Sequence, residues 1–234
     1  MTHKTDIGYE LQSSLLVSDR DGAPLVAPAQ NLVTAAGILS SRGGDATPSM
    51  PHLDELSERM AWLEKQNLGK PLVHIVDREA DSVAHLRRWS EAGSAWLVRV
   101  KEGSRVRFGD EEIRLGEVGN ELAYAPAREV EHQGKLATQW LASTRVVLVR
   151  KAKPKRADAS GKRVAPQAGV PLPVRLVVSR ICDENGRVLA QWYLLADVPD
   201  DVPAHTLALW YYYRWRIESY FKLLNTGGAS TGKL

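Results

Sequence analysis

The sequence of 234 residues has a single cysteine, Cys182, and no apolar run near the length of about 20 residues that a membrane-spanning helix requires. One cysteine excludes a disulfide within the chain and any cysteine-rich zinc site. The six histidines are scattered, and none pairs with another at a metal-ligand spacing. An apolar secretion segment is also missing from the amino terminus. These absences predict a cytoplasmic protein that does not enter a membrane.

Positive charge is concentrated in one segment of a chain whose net charge is only +3. Residues 150–163 contain seven basic residues and one acidic residue, whereas the rest of the chain has 24 basic and 27 acidic residues. Pro154 and Gly161 predict that this segment is a loop between two strands. Its charge suits non-specific contact with DNA phosphates, and the alternative is a solvated loop without a partner. The candidate DNA contacts are Arg150, Lys151, Lys153, Lys155 and Arg156.

Asp77 follows directly on a short apolar run at residues 72–76. The run is typical of a strand buried on both faces. Ligand sites of open α/β sheets lie at the carboxyl ends of such strands, so Asp77 is a candidate cation ligand, with a structural strand-end acid as the alternative. Asp81 has the position of an N-cap for a helix predicted over residues 82–90.

A second motif lies in residues 211–228, where four polar side chains recur at helical spacing. Tyr211, Arg214, Glu218 and Lys222 share one face of a predicted helix. Another face carries Trp210, Tyr213, Ile217, Phe221 and Leu224. The polar face suits phosphate binding, but the last three polar residues also have the spacing of ordinary ion pairs, each worth about 0.2–0.5 kcal/mol.

Together the two motifs resemble the DDE transposases of bacterial insertion sequences. The DREAD sequence at residues 77–81 and the Tyr, Arg and Glu at positions 211, 214 and 218 are similar to the IS-four-type family with its Tyr-Arg-Glu-Lys signature. Segments 17–25, 52–66 and 192–199 also resemble segments of that family.

The resemblance implies an α/β fold with a ribonuclease H-like core and a β-rich insertion subdomain. It implies Mg²⁺ or Mn²⁺ as cofactor, held by carboxylates that include Asp77 as the second and Glu218 as the third of a catalytic triad. Two such ions stabilise the attacking and leaving oxygens of DNA strand cleavage and transfer. The resemblance also implies double-stranded DNA as partner, a homodimer in intact members, and DNA contacts by Tyr211, Arg214, Lys222, Arg99 and Lys101.

Two departures from the family pattern bear on activity. The first Asp of the family lies on a strand before the hairpin at residues 17–25, but only 16 residues precede Val17, and Asp6 lies in a polar run. Asp19 and Asp21 flank a predicted turn. We therefore expect a partial copy, truncated at both ends, whose core lacks its first strand. The signature Lys falls at Asn225, with Lys222 one turn earlier.

The predicted layout has three parts: a first core segment at residues 1–101, the insertion at 102–202, and the signature helix at 203–234, beginning near residues 203–206. Strands are predicted at residues 11–18, 95–101, 145–150, 174–179 and 188–195, and a strand or extended run at residues 24–34. A helix is predicted at residues 52–66, with an apolar stripe of Leu53, Leu56, Met60 and Leu63. The tail at 227–234 imitates a phosphate-binding loop, but Leu234 stands where Ser or Thr must bind magnesium, so no nucleotide is expected.

Three functions are compatible with these observations. The first is a metal-dependent transposase with an incomplete triad and little or no cleavage activity of its own. The second is a non-catalytic remnant that binds DNA or pairs with an intact copy. The third, an unrelated metal-dependent phosphatase, leaves the signature helix and the basic loop unexplained.

Overall fold

The computed structural model describes residues 10–152 and 165–227. Within these ranges the elements, in chain order, are β1 (Glu10–Val17), β2 (Pro24–Thr34), β3 (Gly37–Ser40), α1 (His52–Glu64), β4 (Val73–Val76), a 3₁₀ turn (Arg78–Ala80), α2 (Val83–Glu91), β5 (Ala95–Val100), β6 (Arg105–Phe108), β7 (Glu111–Arg114), α3 (Leu115–Glu121), β8 (Ala125–His132), β9 (Lys135–Leu148), β10 (Leu172–Cys182), β11 (Val188–Asp197), α4 (Ala204–Tyr213) and α5 (Arg216–Gly227). None of the helices described is both long and apolar enough to cross a membrane.

The chain forms two compact units. The first, called the hairpin unit, comprises Met1–Asn67 and Tyr212–Leu234, and the second, called the sheet unit, comprises Leu68–Tyr211. The boundary between them falls inside α4. The predicted division at residues 101 and 202 stays a prediction.

In the hairpin unit, β1, β2 and β3 form an antiparallel sheet in that order. The predicted hairpin and the helix at residues 52–66 are confirmed as β1–β2 and α1. Asp21 lies in the turn, where its carboxylate accepts a hydrogen bond of 3.0 Å from the Ala23 N–H. That N–H lowers the pKa of Asp21. The turn therefore gives Asp21 a structural role, as predicted.

Gly22 in this turn cannot be replaced without strain. Its φ is 67°, and an added Cβ would lie 2.3 Å from Cδ1 of Tyr213. The Tyr213 hydroxyl also donates a hydrogen bond of 3.0 Å to the Arg20 carbonyl, so the ring is held in place. We expect Gly22→Ala to lower the free energy of unfolding by about 1–3 kcal/mol, because an overpacked contact adds to backbone strain.

The control for this prediction is Gly43→Ala, since Gly43 has a φ of 90° and no atom within 4 Å of an added Cβ. Urea unfolding of both variants separates the clash from the backbone cost. Equal losses of stability in the two variants would contradict the predicted clash.

The described residues of the sheet unit form one sheet of eight strands. Seven lie in the order β4-β5-β11-β10-β9-β6-β7, and β8 pairs with β9. Only β4 and β5 are parallel, so the sheet is mixed. The strands predicted at residues 95–101, 145–150, 174–179 and 188–195 are confirmed as β5, the end of β9, β10 and β11. This mixed α/β architecture agrees with the predicted fold class at that level.

The strand before Asp77 differs from its prediction. All four residues of β4 are only partly buried, because among the described strands β4 lies at the edge of the sheet and pairs with β5 alone. The prediction of a strand buried on both faces is therefore wrong for β4. Full burial occurs in the neighbouring strand β5, where Trp96, Leu97 and Val98 are each 0% exposed.

The signature segment is not one continuous helix. Helix α4 ends at Tyr213 and α5 begins at Arg216. Between them the Trp215 N–H bonds to the Tyr212 carbonyl and the Ile217 N–H bonds to the Arg214 carbonyl, which is the tighter 3₁₀ spacing. Tyr211 and Glu218 consequently lie on different helices, and the prediction of a single helical face is wrong. The predicted start near residues 203–206 is confirmed by Ala204.

Candidate active site

Asp77 lies immediately after β4, at the carboxyl end of the strand. Its Oδ1 accepts a hydrogen bond of 2.6 Å from the Arg78 N–H, so the side chain caps the 3₁₀ turn Arg78–Ala80. The same oxygen is 3.3 Å from the Tyr211 hydroxyl, which donates to it. The N–H of the next residue and a hydroxyl 134 residues away in the chain therefore orient this carboxylate.

Tyr211 reaches Asp77 because α4 packs on the sheet. Leu207, Ala208 and Tyr211 are buried in one core cluster with residues of β5, β9, β10 and β11. Tyr211 itself is 6% exposed. The structure thus brings together one residue from each of the two sequence motifs.

A cavity of about 180 Å³ lies next to the turn that follows Asp77. It is lined by Arg78, Arg99, Val100, Lys101, Glu102, Gln191, Trp192 and Tyr193. The predicted DNA contacts Arg99 and Lys101 therefore share one cavity, and Arg78 adds a third basic side chain. Sequence analysis missed Arg78, although its position directly after Asp77 was available as a signal.

The remaining signature residues lie in the hairpin unit. Arg214 Nη2 is 3.2 Å from Glu218 Oε1, and the guanidinium lies 5.1 Å from the centre of the Trp215 ring. The side chain of Glu218 is 43% exposed and that of Arg214 is 15% exposed. Lys222 is exposed on α5. Arg214 and Glu218 thus form the ion pair that their spacing allows.

Of the basic segment at residues 150–163, the structure describes only residues 150–152. Arg150 forms an ion pair with Asp81, and Lys151 is exposed. Lys153, Lys155 and Arg156 lie outside the described residues, as does Asp6.

Asp81 does not have the role predicted for it. The N-cap of α2 is Ser82, and Asp81 follows the 3₁₀ turn as its C-cap. Its carboxylate instead contacts Arg150 and Ser104, which are 69 and 23 residues away. The N-cap prediction is wrong because a local sequence pattern gives no information on such distant partners.

The donor chemistry of the predicted pair suits a hard divalent cation, since Asp77 and Glu218 both offer carboxylate oxygens. Among residues 10–152 and 165–227, no group of three or more His, Cys, Asp or Glu side chains is gathered as a metal cluster. The described residues therefore supply donors of the right kind without a complete set. Burial raises the pKa of the Cys182 thiol, which disfavours a thiolate nucleophile.

Comparison with known families agrees with these motifs. The family model "Transposase DDE domain" matches residues 53–229, which is more than half of the chain. No curated protein matches the sequence. Enzymes of the matched family depend on divalent metal ions, bind DNA and cleave it. Because the match covers α1, the Asp77 turn, the sheet and the signature helices, the chain belongs to the family of DDE transposase domains.

Proposed function

We propose that this chain is the strand-cleaving part of an insertion-sequence transposase of the IS-four-type family, with Asp77 and Glu218 as its metal-binding carboxylates. The observation that carries the proposal is the hydrogen bond between Tyr211 and Asp77. It joins the first residue of the signature motif to the first residue of the DREAD motif, and each motif was identified independently of the other.

The chemistry supplied by bound Mg²⁺ or Mn²⁺ is stabilisation of charge on the attacking and leaving oxygens of a phosphodiester. The chain's own contribution is to orient carboxylates and bind DNA. In this proposal Asp77 is oriented by the Arg78 N–H and the Tyr211 hydroxyl. Arg214 orients the Glu218 carboxylate through their ion pair.

DNA binding in this proposal uses two basic surfaces. The first is the cavity with Arg78, Arg99 and Lys101. The second is the basic segment, with Lys151, Lys153, Lys155 and Arg156, and exposed Lys222 adds a phosphate contact from α5. Seven basic residues in residues 150–163 predict strongly salt-dependent binding, because each phosphate that is neutralised releases counterions.

A second function is favoured by one specific observation. Among residues 10–152 and 165–227, no three His, Cys, Asp or Glu side chains are gathered into a group that could hold a metal ion, so these residues alone do not form a complete metal centre. In that case the polypeptide binds DNA, or pairs with an intact copy as a dimer, without cutting. We accordingly expect the 234-residue polypeptide by itself to retard duplex DNA and to nick it little or not at all.

The test uses the purified chain with a supercoiled plasmid that carries the DNA flanking its gene, in Mg²⁺ or Mn²⁺. Asp77→Ala and Glu218→Ala are compared with Asp110→Ala and Glu121→Ala, which replace exposed acids outside the proposed site. Retardation without nicking in all five proteins supports the DNA-binding function. Metal-dependent nicking that is lost only in Asp77→Ala and Glu218→Ala supports a working transposase.

Two results would contradict both functions. One is the absence of DNA retention even at low salt. The other is nicking that persists unchanged in Asp77→Ala and Glu218→Ala, because the cut would then come from other residues or from a contaminant.

A further inference from the structure

The Asp81 carboxylate contacts residues from separate parts of the sheet unit. Its Oδ1 pairs with the Arg150 guanidinium, and its Oδ2 accepts hydrogen bonds from the Ser104 hydroxyl at 3.0 Å and the Lys101 N–H at 3.5 Å. The side chain of Asp81 is 6% exposed and that of Arg150 is 24% exposed. Both partners of the ion pair are thus largely removed from water.

Arg87 on α2 also links separate parts of the chain through hydrogen bonds. Its guanidinium donates to the carbonyls of Val170 at 2.8 Å, Arg150 at 3.1 Å and Leu148 at 3.4 Å. Leu148 is the last residue of β9, and Val170 lies two residues before β10. Arg87 therefore holds both ends of the connection between these strands, residues 149–171, which we call the basic connection.

Two further contacts close the ends of the basic connection. Ala152 and Gln167 exchange backbone hydrogen bonds of 2.8 and 2.9 Å. Gly169 lies directly against Arg87, since an added Cβ would be 2.4 Å from its Nη1 atom. The ends of the connection are consequently fixed by α2 and by the turn after Asp77.

From these contacts we infer that Asp81 and Arg87 are positioning residues for DNA binding, and that the Arg150 guanidinium anchors the basic connection instead of contacting a phosphate. The inference rests on the proposed DNA-binding function. It assigns phosphate contact at this end of the connection to Lys151, the exposed neighbour of Arg150.

Arg150 is expected to stay paired with Asp81, and not to bind a phosphate, because separating the Asp81–Arg150 ion pair costs free energy. A phosphate that captured Arg150 would leave a nearly buried carboxylate without its counter-charge, and removing one partner of a buried pair is strongly unfavourable. Exposed Lys151 can contact a phosphate without breaking that ion pair. An anchored connection also loses less conformational freedom when it binds, so anchoring raises affinity without adding a contact.

The test measures the dissociation constant of a 30-base-pair duplex at several salt concentrations. For Lys151→Gln we expect the salt slope of log Kd to fall by about 1, as for loss of one phosphate contact. For Asp81→Asn and Arg150→Gln we expect binding to weaken roughly threefold to tenfold with an unchanged slope, because a positioning contact is lost. A variant that carries both Asp81→Asn and Arg150→Gln is expected to have the same dissociation constant as either single variant, because each of the three variants removes the same ion pair.

Matched controls separate positioning from net charge. Asp110→Asn removes one negative charge, as Asp81→Asn does, but from an exposed position. Arg88→Met removes one positive charge from α2, as Arg87→Met does, also from an exposed position. Cleavage by trypsin within residues 149–171 gives a readout that needs no DNA. It is expected to accelerate in Asp81→Asn and Arg87→Met, and to stay at the parent rate in the two controls.

Other results would overturn the inference. If Asp81→Asn strengthens binding beyond Asp110→Asn, or Arg150→Gln lowers the slope as Lys151→Gln does, Arg150 is a phosphate contact and the inference fails. Unchanged affinity and unchanged trypsin cleavage in Asp81→Asn also overturn it. Failure of the parent chain to bind DNA overturns the proposed function itself.

Discussion

Replacing Glu55 by alanine is expected to lower the free energy of unfolding of the hairpin unit by about 3–5 kcal/mol, the typical cost of removing one partner from a buried ion pair. Glu55 is 1% exposed and lies 3.1 Å from both Arg42 Nη2 and Arg59 Nη2. Asn31, which is 0% exposed, also donates to its Oε1. One carboxylate thus balances two guanidinium groups inside the unit.

The loss is large because the guanidinium groups remain after the carboxylate is removed. Arg59 is 3% exposed, and burial lowers its pKa because the charged guanidinium is removed from water. Without Glu55 the two positive charges also repel each other. Amide hydrogen exchange in β2, β3 and α1 measures the local loss.

The matched control is Glu58→Ala, because Glu58 is exposed on the same helix. Its effect is expected to stay within about 0.5 kcal/mol, as for most surface substitutions. Similar exchange rates in the two variants would show that the cluster around Glu55 does not stabilise this unit.

Leu195→Ala is expected to destabilise the sheet unit by about 2–5 kcal/mol, through lost burial and the cavity left behind. Leu195 is 0% exposed and lies on β11, opposite Val98 of β5 and Leu176 of β10, which are also 0% exposed. β5 continues to the cavity residues Arg99 and Lys101, so we expect the same variant to weaken DNA binding near its unfolding midpoint.

Leu189→Ala serves as the control, because Leu189 lies on the same strand and is 40% exposed. Urea unfolding followed by circular dichroism compares the two variants. If Leu195→Ala lowers the free energy of unfolding no more than Leu189→Ala does, the centre of the sheet tolerates a cavity and the prediction is wrong.

Local patterns were sufficient for much of the fold. The strand-like runs at residues 174–179 and 188–195 correspond to β10 and β11, and the strand or extended run at residues 24–34 corresponds to β2. The apolar stripe of Leu53, Leu56, Met60 and Leu63 predicted α1. Three of these side chains are buried, and that of Leu56 is partly buried. Such signals depend only on the spacing of neighbouring residues, and the fold preserves that spacing.

Two of the predictions that failed, the N-cap at Asp81 and the single signature helix, share one physical cause. Asp81 has the sequence position of an N-cap, yet its carboxylate binds Arg150 and Ser104. The signature segment has helical spacing throughout, yet 3₁₀ hydrogen bonds interrupt it between Tyr213 and Arg216. In both cases the prediction depended on a weak local preference, for an N-cap or for a continuous helix, and tertiary contacts or local geometry outweighed that preference.

By itself, the sequence of this protein determined its family motifs, its net charge distribution, its hairpin and most of its strands, because each of these is written in residues close together in the chain. The tertiary structure alone decided that Tyr211 orients Asp77, that Arg150 pairs with Asp81, and that Arg87 holds both ends of the basic connection. The two members of each such pair are separated by at least 61 residues, as for Arg87 and Leu148, so only the packing of the sheet brings them within hydrogen-bonding distance.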